Sequence, residues 1–122
     1  MDFSVRTEEA DYATYVIAVA GEADLYSAPE VRRALDEAIE AGGRDIVVDL
    51  TRTTFLDSTA LSVLVEATKR LRPDGRVALV CVDRNLVKIF RITALDRLFP
   101  LFSSRAEAVR SLAPAGAQEA GS

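Results

Sequence analysis

Ile46-Val47-Val48-Asp49-Leu50 is a five-residue run with four aliphatic side chains and one carboxylate. A half-buried strand alternates apolar with polar residues. A run this short and this uniformly apolar reads instead as a strand covered on both faces, central in its sheet and partly parallel. Residues 77–82, Val-Ala-Leu-Val-Cys-Val, are a second run of the same kind. Between them, 51–56 reads as a connection leading to Asp57. Leu61, Leu64, Val65, Thr68 and Leu71 then form a helical stripe that Pro73-Asp74-Gly75 stops.

The same logic extends in both directions. Phe3-Ser4-Val5-Arg6-Thr7 alternates as a half-buried strand, and 14–20 is rich in β-formers and closes at Gly21, with 8–13 as the hairpin connection. Ser27 and Glu30 have capping-box spacing, with Pro29 tolerable in a first turn. Val31, Leu35, Ala38 and Ile39 follow as one apolar stripe, ended by Gly42-Gly43. On the other side Asp83 is a cap for a third helix with Leu86, Ile89, Phe90 and Thr93 on one side. Residues 98–102 form a short edge strand limited by Pro100, and Ser104 with Glu107 opens a last helix through Ala108, Val109 and Leu112.

The expected architecture is α/β: a mixed sheet of about five strands with about four α-helices, in the order β-β-α-β-α-β-α-β-α. Residues 1–112 form one domain. Residues 113–122, Ala-Pro-Ala-Gly-Ala-Gln-Glu-Ala-Gly-Ser, have nothing to bury and read as a disordered tail.

Composition narrows the chemistry. The 122 residues contain no histidine and one cysteine, which removes Ser-His-Asp and Cys-His catalysis, imidazole metal sites and disulfides. No metal and no cofactor is expected. A net charge of −4 argues against nucleic acid as a partner. Asp2, Glu8, Glu9 and Asp11 against Arg6 alone make no signal peptide, and apolar runs 16–20 and 77–82 fall far short of a membrane span. The expected compartment is the cytoplasm, with no membrane partner. Cys81, inside an apolar run, reads as a small buried thiol. Arg84, Arg91 and Arg97 read as solvated cations.

One stretch carries chemistry: Asp57-Ser58-Thr59-Ala60-Leu61-Ser62-Val63-Leu64, at the end of a central strand and the start of a helix. Asp57 suits the N-cap position, which places Ser58 at about the first helical residue beside the positive end of the dipole. Ser58 lacks a base for nucleophilic work, since Lys69 is about three turns away. As three residues alone, Asp57-Ser58-Thr59 is an ordinary polar helix start.

The surrounding pattern resembles the STAS domains, in particular the bacterial anti-sigma factor antagonists. Phe55-Leu56-Asp57-Ser58-Thr59-Ala60-Leu61-Ser62-Val63-Leu64 matches the family's Asp-Ser-[Ser/Thr]-Gly-[Leu/Ile]-Gly-Val-[Leu/Ile] signature, with Ala60 and Ser62 in place of two glycines. Gly21-Glu22-Ala23-Asp24 matches its Gly-Glu-x-Asp landmark, and Val87-Lys88-Ile89-Phe90 its Leu-x-x-Phe helix. The resemblance implies partner switching. The unphosphorylated protein binds an anti-sigma factor that is also a Ser/Thr protein kinase, which frees the sigma factor. Phosphorylation of Ser58, with Thr59 as the alternative acceptor, ends binding, and a metal-dependent Ser/Thr phosphatase restores it. Asp24, Asp57, Ser58, Thr59, Ala60 and Ser62 are then the partner-binding residues, and Ala60 and Ser62 put bulk where a partner approaches. The chain itself is not an enzyme. Two further readings stand beside this one: a STAS subunit or scaffold of a transporter or stress-sensing complex without phosphorylation, and a sensor of a nucleotide or lipid near the Asp57 loop.

Overall fold

Asp45–Leu56 (β3) is the spine of the sheet in the computed structural model, which describes residues 2–114. Thr14–Ala23 (β2) runs parallel to it on one side, with Val16 opposite Val47 and Ile17 opposite Val48. Val77–Val80 (β4) runs parallel on the other, with Ile46 opposite Val77. Ser4–Glu9 (β1) pairs antiparallel with β2, and Leu101–Phe102 (β5) parallel with β4, so the order across the sheet is β1-β2-β3-β4-β5. Four helices connect or follow the strands: Ala28–Glu40 (α1), Ser58–Arg70 (α2), Arg84–Ile92 (α3) and Arg105–Leu112 (α4). The element order is the one expected from the sequence, with a 3-10 turn at Leu95–Arg97 added.

Strand order that advances one position per crossover, with every crossover of the same hand, stacks α1, α2 and α3 on one face. Ile17, Val48, Leu50, Leu64, Leu79 and Phe90 join in the core beneath them. The α4 helix covers part of the other face over Val16, Val47, Ala78 and Val80. Adjacent β3 residues therefore enter opposite cores, Val47 one and Val48 the other, which is why 46–50 is apolar without alternation. Two buried carboxylates lock this arrangement. Asp45 receives the Arg76 amide at 2.8 Å and pairs with Arg44 at 2.7 Å, while Asp49 pairs with Arg105 of α4 at 2.5 Å.

Several boundaries differ from those expected. Residues 51–56 are not a connection: β3 continues through them, paired with a β2 that runs past Gly21 to Ala23 (Gly21 opposite Thr53, Ala23 opposite Leu56). This polar extension is held by cross-strand pairing, with Thr53 Oγ1 donating to Val19 O at 2.7 Å, and local hydrophobicity does not encode such pairing. Gly21 is the bend that allows it. Its φ is +94°, the register shifts beside it, and a Cβ would lie 3.1 Å from Phe3 Cα.

Helix α2 is rotated from its expected stripe. Of the expected stripe Leu64 and Leu71 are buried, while Leu61, Val65 and Thr68 sit half-buried on the flank and Ala60, Val63 and Ala67 take their place inside. Small residues let the helix approach the sheet closely, so size outweighs hydrophobicity in choosing the inner face. β4 ends at Val80, leaving Cys81 buried as expected and Val82 exposed. The strand expected over 98–102 shrinks to Leu101–Phe102, because Phe99 turns inward to meet Phe90 edge-to-face at 6.3 Å. Thr93 leaves the apolar side of α3 and caps its end, donating to Ile89 O at 2.7 Å. At the carboxyl end of α4, Ala113 is still buried, and the rest of the expected tail beyond 114 lies outside the described residues.

Candidate functional site

The carboxyl ends of β2 and β3 project together, and the turns that leave them are built around two carboxylates. Asp57 is the N-cap of α2 in extended conformation, and its Oδ1 accepts the Ala60 amide at 3.0 Å. Its Oδ2 accepts the Leu25 amide at 2.9 Å from the neighbouring β2–α1 turn. The Asp57 amide itself donates to Ala23 O at 3.1 Å. The two turns are thus fastened in both directions.

Asp24 organises the β2–α1 turn. Its Oδ1 accepts the amides of Tyr26 (2.9 Å) and Ser27 (3.1 Å). Chiefly the Ser27 amide, helped by Tyr26 and the Ser27 hydroxyl against a smaller desolvation effect, holds the Asp24 carboxyl below the usual carboxylate range. The capping box expected from Ser27 and Glu30 does not form. Ser27 has helical backbone angles and no capping bond. Its Oγ donates back to Glu22 O at 2.7 Å and accepts the Asp24 amide at 2.9 Å. The first amide of α1, on Ala28, goes to Asp24 O at 2.8 Å, so Asp24 takes over the role assigned to Ser27.

Ser58 opens α2 exposed to solvent, and its hydroxyl makes no hydrogen bond among the described residues. Thr59 is half-buried and Ala60 is 2 % exposed, its methyl turned into the core, while Ser62 is exposed one turn on with its Oγ donating to Ser58 O at 2.9 Å. Asp24, Asp57, Ser58 and Ser62 therefore share one edge, Thr59 stands at its margin, and the Ala60 side chain is withdrawn from it. Lys69 follows Ser58 by roughly 16 Å along the helix, so no base stands by the hydroxyl. No group of three His, Cys, Asp or Glu side chains among the described residues is placed to hold a metal.

Sequence reasoning missed the apolar part of this edge. Leu25 is 60 %, Tyr26 88 % and Phe55 48 % exposed around the two carboxylates. Leu25 and Tyr26 stand on the β2–α1 turn and Phe55 near the end of β3, and a cluster of large apolar side chains at one edge is a candidate contact surface. The signal was there in the Leu25-Tyr26 pair set between Asp24 and a helix start. Beside Ser58 an open groove of about 390 Å³ runs along α2, with Leu61 and Val65 on one wall, Leu95 of the 3-10 turn on the other, Ser58 and Ser62 towards the start of the helix and the charged Glu66 and Lys69 further along it. Leu61 and Val65, half-buried and packed against the core, are the α2 side chains that line it with their outer faces. The arrangement supplies an exposed hydroxyl on a rigid helix start, ringed by acids and apolar side chains. It suits protein contact and acceptance of a group from another protein's active site.

The sequence profile of the STAS domain matches residues 4–108. An anti-sigma-B factor antagonist of Listeria monocytogenes is 35 % identical over 102 residues, covering 83 % of this chain and 90 % of its own. Among solved structures, an anti-sigma factor antagonist from Mycobacterium paratuberculosis shares the fold at a TM-score of 0.79 and 24 % identity, over 91 % of this chain and 94 % of its own. The Bacillus anti-sigma factor antagonist SpoIIAA in its phosphorylated form shares it at 0.71 and 22 % identity, over 90 % and 100 %. With its family profile spanning nearly the whole described fold, the chain belongs to the STAS domain family.

Proposed function

We propose that this chain is an anti-sigma factor antagonist that works by partner switching, with Ser58 as the switch. The observation that carries the reading is the exposed, unbonded Ser58 hydroxyl at the first residue of α2, on the edge where Asp57 fastens the β2–α1 turn and Leu25, Tyr26 and Phe55 stand free. The similarity to curated anti-sigma-B factor antagonists supports it.

In this reading the unphosphorylated chain binds an anti-sigma factor that is a Ser/Thr protein kinase, through Asp24, Asp57, Ser58, Thr59, Ser62 and the backbone at Ala60. The kinase holds the ATP: Ser58 Oγ bonds to the γ-phosphorus as the bond to the β,γ-bridging oxygen breaks, ADP leaves, and the hydroxyl proton passes to a base of the kinase. The product carries roughly −1.5 to −2 charges. The start of α2 tolerates them through its dipole and amides. Beside Asp24 and Asp57 of the same edge the dianion adds to the local negative charge, and it must be desolvated for the partner to stay. Binding ends while the fold persists. A metal-dependent phosphatase resets the switch, and the setting is the cytoplasm. No nucleotide, lipid or catalytic role of its own is assigned to the chain.

Capture from the native lysate with wild type, Ser58→Ala and Ser58→Asp, followed by calorimetry on the captured kinase, tests this. Ser58→Ala is expected to stay bound in the presence of ATP, and Ser58→Asp to bind at least about tenfold more weakly, a loss of about 1.4 kcal/mol. Equal affinity of the two variants would remove the switch. The same companions on all three would make the chain a constitutive STAS subunit.

A further inference from the structure

Helix α3 carries a feature that the Ser58 edge does not use. Arg84, Lys88 and Arg91 lie at i, i+4 and i+7, hence on one face, and all three are exposed. Arg97 follows on the 3-10 turn, with Ile92 (73 % exposed) and Leu98 (44 %) beside the row. Among the described residues none of these four cations meets a carboxylate, and α3 is the described helix on which three such unpaired cations stand together. From 84 to 98 the chain has four cations and one acid, Asp96, although the whole carries −4. The nearest other acid, Asp83, is turned onto the amides of Asn85 (2.8 Å) and Leu86 (3.2 Å). Like charges one turn apart repel each other and weaken the helix, and of the three only Arg91, in the last turn, gains from the helix dipole.

We propose that the α3 face is a second docking surface, taken by an acidic protein surface with an apolar recess for Ile92. Charge complementarity selects that occupant. An acidic partner is repelled from the Ser58 edge by Glu22, Asp24 and Asp57 and drawn to α3, so the two surfaces sort partners of different charge. A second copy docked symmetrically through α3 would set cation against cation. A lipid surface would need an apolar helix face to enter it, and Leu86 and Phe90, which form that face, are spent on the core. Arg84, Lys88 and Arg91 line no part of the groove beside Ser58, whereas Arg97 shares its turn with Leu95 of the groove wall, so the α3 row itself carries the second surface. This surface stands whether or not Ser58 is phosphorylated.

The probe is a fluorescently labelled peptide of Glu-Glu-Leu repeats, followed by anisotropy with the full chain. Three variants are compared: Arg84→Gln/Lys88→Gln/Arg91→Gln, a control Arg6→Gln/Arg33→Gln/Arg52→Gln that removes the same charge from exposed positions elsewhere, and Ser58→Asp. Circular dichroism checks that each is folded. Saturable wild-type binding should fall about tenfold in the α3 variant, while the control and Ser58→Asp stay within about twofold. Equal losses in both charge variants would reduce the effect to net charge and overturn the proposal, as would the absence of saturable binding. Tighter, α3-dependent binding to phosphatidylglycerol vesicles would overturn it in favour of a membrane. Self-association abolished by the α3 variant, read by analytical ultracentrifugation, would overturn it in favour of a second copy.

Discussion

The Leu25 amide donates to Asp57 Oδ2 at 2.9 Å across 32 residues of chain, while the other oxygen of the same carboxylate caps α2 at Ala60. One side chain thus sets the geometry of the helix that presents Ser58 and of the turn that presents Leu25 and Tyr26. Asp57→Ala should cost about 0.5–2 kcal/mol, mostly the lost N-cap, since water can reach the exposed Leu25 amide. Denaturant midpoints read the total. Hydrogen exchange should speed at both Leu25 and Ala60, and acceleration at Ala60 alone would show that the bridge to Leu25 carries no energy.

Ser58 and Thr59 are adjacent hydroxyls in different surroundings, one exposed and one half-buried at the margin of the core. If the kinase reads accessibility, Ser58→Ala abolishes phosphate incorporation and Thr59→Ala leaves most of it. Peptide mapping by mass spectrometry checks this. Phosphate retained on Thr59 in Ser58→Ala would shift the switch by one residue.

Ala60 and Ser62, both standing where the family pattern has glycine, should separate by readout. Ala60 is buried, so Ala60→Gly should destabilise the domain by about 1 kcal/mol through helix propensity and a lost core methyl, with little effect on partner affinity. Ser62 is exposed in the groove beside Ser58, so Ser62→Gly should change partner affinity more than stability after allowing for the helix cost. Paired thermal unfolding and calorimetry distinguish the two.

Burial alone would raise the Asp49 carboxyl, but Arg105 and the Thr51 amide outweigh it and hold it below the usual range. A carboxylate with a depressed folded-state pKa contributes stability above its unfolded value, near pH 4, and loses that contribution as pH falls through the folded value. Asp49→Asn should therefore flatten the acid limb of the stability curve below about pH 4. Arg105→Ala should cost about 2 kcal/mol near pH 7, reduced from a fully buried pair because the guanidinium is partly exposed. Urea unfolding across that pH range would expose an unchanged acid limb in Asp49→Asn, which contradicts this assignment.

Ala94 closes α3 with φ +61°, a left-handed position that an L side chain adopts at a steric cost. Ala94→Gly should stabilise the domain by about 0.5–1 kcal/mol. Its amide already donates to Arg91 O at 3.1 Å, so the gain should appear without a change in α3 length by circular dichroism.

The alternation of buried strands with amphipathic helices was legible in the chain alone. A short apolar run such as 46–50, bounded by turn signals and alternating with amphipathic helices, fits a strand covered on both faces. The caps at Asp57, Asp83 and Ser104 were legible too, because a cap is a bond between residues two or three apart. The Asp57-Ser58 start of a helix at a strand end was legible on the same local grounds. What depends on residues far apart was not. The β2–β3 extension over 51–56 and the bond from Leu25 to Asp57 arise from cross-strand and cross-turn partners. The Asp24 turn at the head of α1 is local, and it went unread because Asp24 and Ser27 compete for the same few amides. The rotation of α2 was decided by packing. Ala60 and Ala67 went inward because a sheet and a neighbouring helix had to come close, which turned Leu61 and Val65 out to line the groove. Local chemistry chose the elements and their ends, because those energies act within a turn or a strand. Tertiary structure chose which faces remained for a partner, because only packing between elements determines what is left uncovered.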